Sequence, residues 1–374
     1  MFLFVTGATR AQQFENYRPL LDTTLFSKSL GFEKGIAITV PIDWQNDLDK
    51  RFPLIVIFDK QNQRSHNYIL QTIDYLTSTD QMPSCVVVSV NSEGAHRYNE
   101  TQYVIADKDG KAKENEVFIF DELIPLCERM YHASNFHMLI GHSRYGYFTT
   151  AMLTTRMDQI HSVISLSPFF HQDNVSLTDS INNLKLDGLS YTRYYRFGIG
   201  NDYPDDFFEM DSIVRQIQNP FFNAKGYHFK EADHYATPGL TIATAIYEIF
   251  EKWSVLQLAY FSDDMSNSQS HKSLEKKVET EYGAPLCFSL GILNGKGWNY
   301  FGLERYEKAI EAWEIMMEKY PNFSEGYLYI MEARKFLKSD SKRERNLFLA
   351  SLERSSFYSP SEKADLLKEL ERIE

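Results

Sequence analysis

Cysteine is scarce: three in 374 residues, at Cys85, Cys127 and Cys287, with no Cys-x-x-Cys spacing. Cys85 and Cys127 sit among apolar neighbours, as core thiols do, rather than as metal ligands or a disulfide. Long apolar runs are missing as well. No stretch reaches eighteen residues, so no membrane-spanning helix is expected. Positive charge is in deficit, with 39 Lys and Arg against 51 Asp and Glu and a net charge of −12. That balance argues against nucleic acid and against a polybasic membrane contact. There is no His-Glu-x-x-His spacing, and neither a P-loop nor a Gly-x-Gly-x-x-Gly opens a helix. Nothing points to a metal or any other cofactor.

What is present is apolar material for a large core, 43% of residues, with aromatics at 14%. The length allows two domains, or one large domain with an appendage. Pro53–Phe58 and Cys85–Val90 are short, nearly continuous apolar runs, and residues 136–140 and Ile160–Leu166 are similar, each with a polar interruption. Separated by helical segments such as Phe118–Tyr131, they predict strands buried on both faces of a parallel sheet. Phe32–Val40 alternates in part and reads as an edge strand. Arg193–Ile199, Tyr227–Lys230 and a helix over Thr241–Trp253 complete a doubly wound α/β domain over residues 13–260. Phe2–Ala11 resembles the later half of a secretory leader without a charged n-region, so residues 1–12 are assigned as its remnant. The expectation is a periplasmic or secreted protein, with the cytoplasm as the alternative.

The polar stretch Ser262–His271 reads as a linker, assigned to 261–272. Residues 273–374 then read as helical. Tyr306, Ala309, Ile310, Trp313, Met317 and Tyr320 share one face and Pro321 stops the helix. Ser359-Pro360-Ser361-Glu362 is a capping box opening a last helix. The tail carries more apolar residues than one exposed face needs: Trp298, Tyr300, Phe301, Trp313, Met316, Met317 and Tyr327. It is expected to pack on the larger domain, roofing its ligand-binding mouth, or to serve a protein partner or self-association.

One segment carries chemistry. Met138-Leu139-Ile140 runs into Gly141-His142-Ser143, and Phe148–Leu153 follows as a plausible helix, the strand–turn–helix context of a nucleophilic serine. A serine hydroxyl needs a base, an orienting acid and donors for the oxyanion. His234 is the histidine placed on a loop between the last strand and last helix. The acid should follow Arg193–Ile199, where Asp202, Asp205 and Asp206 stand; Asp202 is nearest the strand end and is preferred. The oxyanion donors would be the backbone N–H of Arg144 and that of Lys60 or Gln61.

These segments, taken in order, resemble the putative-esterase branch of the α/β-hydrolases, which includes enterochelin-type siderophore esterases, esterase D-like enzymes and mycolyltransferases. The resemblance covers roughly residues 30–255. Val40-Pro41 is similar to the end of the family's opening strand, and Phe52–Asp59 to its "yPvlyllDG". Asp121–Pro125 is similar to its "eELiPyi", Ser167-Pro168-Phe169 to its "SPs", and His234–Leu240 to its "HxsxPxxL". It implies Ser143 as nucleophile, His234 as base, Asp202 as acid and Gln61 as the second oxyanion donor, acting on a small-molecule ester. Two positions depart from the pattern. Lys60 replaces a glycine, and Tyr145 replaces the first of two paired glycines, so local repacking is expected there. The tail resembles a tetratricopeptide unit through Gly297–Phe301, Tyr306–Ile310 and Tyr320-Pro321. The leading expectation is a serine ester hydrolase working through an acyl-enzyme. Its rivals are an inactive hydrolase fold acting as an interaction platform through the tail, and an acyltransferase with the same triad.

Overall fold

Two strands, β1 (Tyr17–Ser27) and β2 (Phe32–Pro41), form an antiparallel hairpin whose first strand is almost wholly exposed. The next two strands are ones that no solvent reaches. The computed structural model describes residues 14–44, 50–105, 108–355 and 357–373; the leader-like segment 1–12 lies outside them. Every residue of β3 (Phe52–Phe58) and β4 (Val86–Val90) is buried. Leu54, Val56 and Phe58 point into one apolar cluster, Ile55 and Ile57 into another. This two-sided burial explains why the run is continuously apolar instead of alternating with polar residues.

Small antiparallel arms, β5 (Val104–Ile105) with β6 (Lys108–Asp109) and β9 (His171–Gln172) with β10 (Val175–Ser176), lie outside the main sheet. The sheet itself adds β7 (Ala133–His142), β8 (Ser162–Leu166), β11 (Arg193–Ile199) and β12 (Phe222–His228). Its order is β1-β2-β4-β3-β7-β8-β11-β12, parallel from β4 to β12. Helices α1 (Gln63–Ser78) and α8 (Thr237–Ser262) cover one face. The other is covered by α4 (Ile124–Met130), α5 (Arg144–Thr155), α6 (Leu177–Asn182) and α7 (Pro204–Gln216). The short α2 (Gly94–Arg97) and α3 (Ala112–Val117) precede them along the chain. The sheet and its two helical layers form the expected doubly wound α/β domain.

Several boundaries differ from the sequence expectation. β1 was unexpected because its residues lack inward periodicity. β12 begins five residues before Tyr227, since its half-exposed side chains carry no apolar signal. The helix expected over Phe118–Tyr131 contains a π-helical turn, Phe118–Leu123. Pro125 supplies no N–H to the usual i−4 carbonyl, and the turn widens around it.

The tail has six helices: α9 (Ser268–Tyr282), α10 (Leu290–Gly302), α11 (Tyr306–Lys319), α12 (Glu325–Phe336), α13 (Lys342–Arg354) and α14 (Pro360–Ile373). Only five residues separate α8 from α9. The capping box forms as a reciprocal pair: Glu362 accepts from the Ser359 N–H at 2.7 Å and Ser359 Oγ from the Glu362 N–H at 3.3 Å. Gly297 lets the Trp313 indole lie against the α10 backbone, and Gly326 admits Met317. Small residues at helix contacts and consecutive packing of α10, α11 and α12 match the tetratricopeptide-like expectation.

The tail does not roof the expected ligand-binding mouth. It packs under the sheet, at the ends where the parallel strands begin. The Thr192 N–H donates to the Glu281 carbonyl at 2.9 Å and the Tyr194 hydroxyl to Glu281 Oε1 at 2.7 Å. Asn135 Nδ2 donates to the Gly283 carbonyl, and the Lys50 ammonium sits 3.7 Å from the Tyr320 ring centre. The reason is apolar continuity. The cluster containing Ile55, Phe136 and Trp253 runs without a break into Tyr282, Phe288, Trp313 and Phe323. A floor that apolar can be buried only from below.

Candidate active site

β7 delivers its last residues to the opposite end of the sheet. Gly141 is forced there by close approach, because a Cβ would overlap the carbonyl oxygen of Tyr145, the second residue of α5. Ser143 then adopts φ 58° and ψ −119°, a conformation that non-glycine residues rarely take. Such a strain costs on the order of 1–3 kcal/mol and persists only where the surroundings enforce it. Here the Ser143 N–H donates to the Leu166 carbonyl at 2.8 Å, and α5 begins at the next residue. The turn holds the serine side chain between the end of the sheet and the start of the helix.

His234 sits on the loop between β12 and α8, and its Nδ1 lies 2.6 Å from Asp202 Oδ2. With Nδ1–H donating, Nε2 is left to accept a proton. Asp202 is itself held: the Ser167 hydroxyl donates to Oδ2 at 2.9 Å and the Gly200 N–H to Oδ1 at 3.2 Å. Asp205 is exposed on the first turn of α7, and Asp206 pairs with His171 at 2.7 Å. Of the three aspartates, only Asp202 is brought to the histidine. His142 joins the serine turn to the histidine loop, its Nε2–H donating to the His234 carbonyl at 3.1 Å and the two rings 4.7 Å apart. Burial pushes the His142 pKa down to about 4, with the neighbouring His234 adding to the effect.

The loop after β3 is pinned with equal care. The Lys60 N–H is committed to the Val90 carbonyl at 3.0 Å, which leaves Gln61 as the loop's candidate donor; the Lys60 ammonium pairs outward with Asp22. The Gln61 side chain donates to Asp59 Oδ1 at 2.8 Å and accepts the Ser92 N–H at 2.9 Å. Arg97 grips both Asp59 oxygens, at 2.8 and 2.5 Å, and reaches the His142 carbonyl at 3.4 Å. One guanidinium therefore braces the loop after β3 against the serine turn.

Tyr145, standing where the family has glycine, is fully buried and stacked on Phe58 at 4.6 Å. Its hydroxyl donates to Glu100 Oε1 at 2.6 Å and lies 2.6 Å from Ser92 Oγ. Glu100 is paired with Lys34 at 2.7 Å, both side chains almost fully buried. The repacking expected at Tyr145 thus takes the form of a tether: α5, the Ser92 loop and β2 meet at one buried carboxylate. Sequence reasoning missed Arg97, Glu100, Ser92 and Lys34. One signal was available: Lys34 shares strand parity with the buried Ile36, Ile38 and Val40, so a lysine was aimed inward. Among the described residues, no three His, Cys, Asp or Glu side chains form a group that could hold a metal ion.

A mostly parallel sheet of this order, a serine at a strained strand-to-helix turn and a histidine–aspartate pair on later loops define an α/β-hydrolase. Residues 27–238 match the family described as "Putative esterase", and this chain belongs to that family of ester hydrolases. In fold it is similar to an IroE-like serine hydrolase from Shewanella oneidensis (TM-score 0.64, 14% identity, 80% of this chain and 99% of that one). It is also similar to an uncharacterised protein from Capnocytophaga ochracea (TM-score 0.62, 13% identity, 94% and 99%). A third similar structure is the siderophore hydrolase EstB from Aspergillus nidulans (TM-score 0.50, 17% identity, 65% and 97%). The comparison with curated proteins gives no match. Among the described residues, no helix is long and apolar enough to cross a membrane.

Proposed function

We propose that this protein hydrolyses carboxylic esters or lactones through a covalent acyl-enzyme on Ser143. The observation that carries the reading is an imidazole already held by a carboxylate, on a loop that His142 joins to the turn straining Ser143. The Ser143 oxygen attacks the ester carbonyl as His234 Nε2 takes its proton, and Asp202 stabilises the imidazolium through Nδ1. The oxyanion is received by the N–H groups of Arg144 and Gln61. The His234 proton then goes to the departing alcohol, and a water activated by the same histidine releases the acid. The substrate class we assign is siderophore-type lactones or other acylated small molecules. Lys60 and Tyr145, the two departures from the family pattern, are both accommodated by partners other than Ser143, and neither favours an inactive site.

Labelling with a fluorophosphonate probe tests the reading. The wild-type protein should be labelled, and Ser143→Ala should lose both labelling and ester turnover, the latter by about 10³-fold or more. An unlabelled wild-type protein, or full turnover in the variant, would overturn it.

A further inference from the structure

The residue after the nucleophile carries a charge that the reaction above does not use. Arg144 contributes its backbone N–H, but its guanidinium is half-buried. It lies 4.2 Å from the Tyr98 ring centre and 5.6 Å from that of Phe169. Its Nη1 donates to Gln172 Oε1 at 3.1 Å and, more weakly, to Gln102 Oε1 at 3.4 Å. Both are neutral amides. Among the described residues no carboxylate forms an ion pair with it. Asp173, in the adjacent β9–β10 turn, is taken by Gln102 Nε2 at 2.8 Å, while Asp206 and Glu209 face His171. The charged and titratable groups that do act on Arg144 are tyrosines and a second cation, Arg97.

This placement is unusual on energetic grounds. A partly desolvated guanidinium ordinarily takes a carboxylate in bidentate fashion, and leaving it with amides alone forgoes the stronger charge-assisted bonds. The side chain is nevertheless held in place by two rings and two amides. It is also continuous with the catalytic groups. Phe169 packs edge-on to Tyr203 at 5.9 Å, and Tyr203 edge-on to His234 at 6.2 Å. An aromatic arc thus runs from the base around to Tyr98, with one cation set into it.

We propose that Arg144 is a specificity-determining residue that binds a negatively charged group, a carboxylate or phenolate, on the ester substrate. The proposal rests on the esterase reading and narrows it to anionic esters whose flat or apolar part lies along Phe169, Tyr203 and Tyr98. The substrate completes the ion pair that the described residues leave open.

The test uses three nitrophenyl esters: a neutral hexanoate, a hydrogen glutarate with its carboxylate on the acyl side, and an acetate of a carboxylated nitrophenol. Wild-type protein should favour at least one anionic ester by kcat/KM. In Arg144→Gln the anionic-to-neutral ratio should fall about tenfold or more, expressed mainly in KM, and Arg144→Lys should restore part of it. An unchanged ratio in Arg144→Gln overturns the proposal, and so does an equal fall on all three esters, which would mark a structural role. Loss of the esterase reading looks different: turnover that survives in Ser143→Ala, or no turnover of any ester by wild type, removes both readings together.

Discussion

Asp202 works twice over, accepting from His234 and from Ser167 with the same oxygen. Asp202→Asn would place a donor or a weaker acceptor against Nδ1 and disturb the tautomer that leaves Nε2 free. Turnover in that variant should fall by about 10²-fold or more, while Asp205→Asn, on an exposed position, should stay within about twofold. Similar small losses in both would move the acid elsewhere. His142 makes a second prediction at this scale, concerning stability. Its pKa is depressed from the ordinary 6.5 to about 4 in the folded protein, so the unfolded chain binds the proton first as acid is added. Stability from this group is complete above the unfolded value and is lost as pH falls from 6.5 towards 4, by roughly 3 kcal/mol in all. Burial also holds His161 well below its ordinary value, and it contributes in the same direction. Denaturant unfolding followed between pH 7.5 and 4.5 should show the slope, and His142→Gln should flatten it; an unaltered slope would place the acid sensitivity in other groups.

Among the elements, α5 depends on a tether that lies beneath it. Tyr145→Phe removes the hydroxyl between Glu100 and Ser92 and should cost about 1–3 kcal/mol. Glu100→Gln leaves the buried Lys34 ammonium without its counter-ion and should cost more, about 3–5 kcal/mol. Urea midpoints would rank the two, and the reverse order would mean that the lysine finds another partner. The same elements show what a sequence displays. β11 was legible to the residue, Arg193–Ile199, because two buried faces select large apolar and aromatic side chains at Tyr194, Tyr195, Phe197 and Ile199, around the charge of Arg196. The Gly141-His142-Ser143 turn was legible because close approach and a strained serine each demand particular residues at fixed places. β1 left no trace, since an exposed edge strand imposes almost nothing on its side chains. The braces Arg97 and Glu100 were hidden for another reason: their partners Asp59 and Lys34 lie 38 and 66 residues away, and no local spacing records such a pairing. His234 and Asp202 fall between these cases, because strand order indicates the loops while only the fold selects one aspartate from three.

For the whole molecule, the decisive fact is one apolar cluster shared by sheet, α8 and tail. Ending the chain after residue 262 would expose Trp253, Tyr260 and the underside of β7, so the shortened protein should aggregate, as light scattering or gel filtration would report. A soluble, monomeric fragment with the full protein's ester profile would show instead that the tail is an independent module. The arrangement also constrains biosynthesis. β3 lies near the amino terminus, yet the ring that covers Lys50 belongs to Tyr320, which leaves the ribosome hundreds of residues later. Until then the lower edge of the sheet faces water as an unfinished surface. The nascent hydrolase portion should therefore remain protease-sensitive and attract holding chaperones until the tail helices that cover it have left the ribosome.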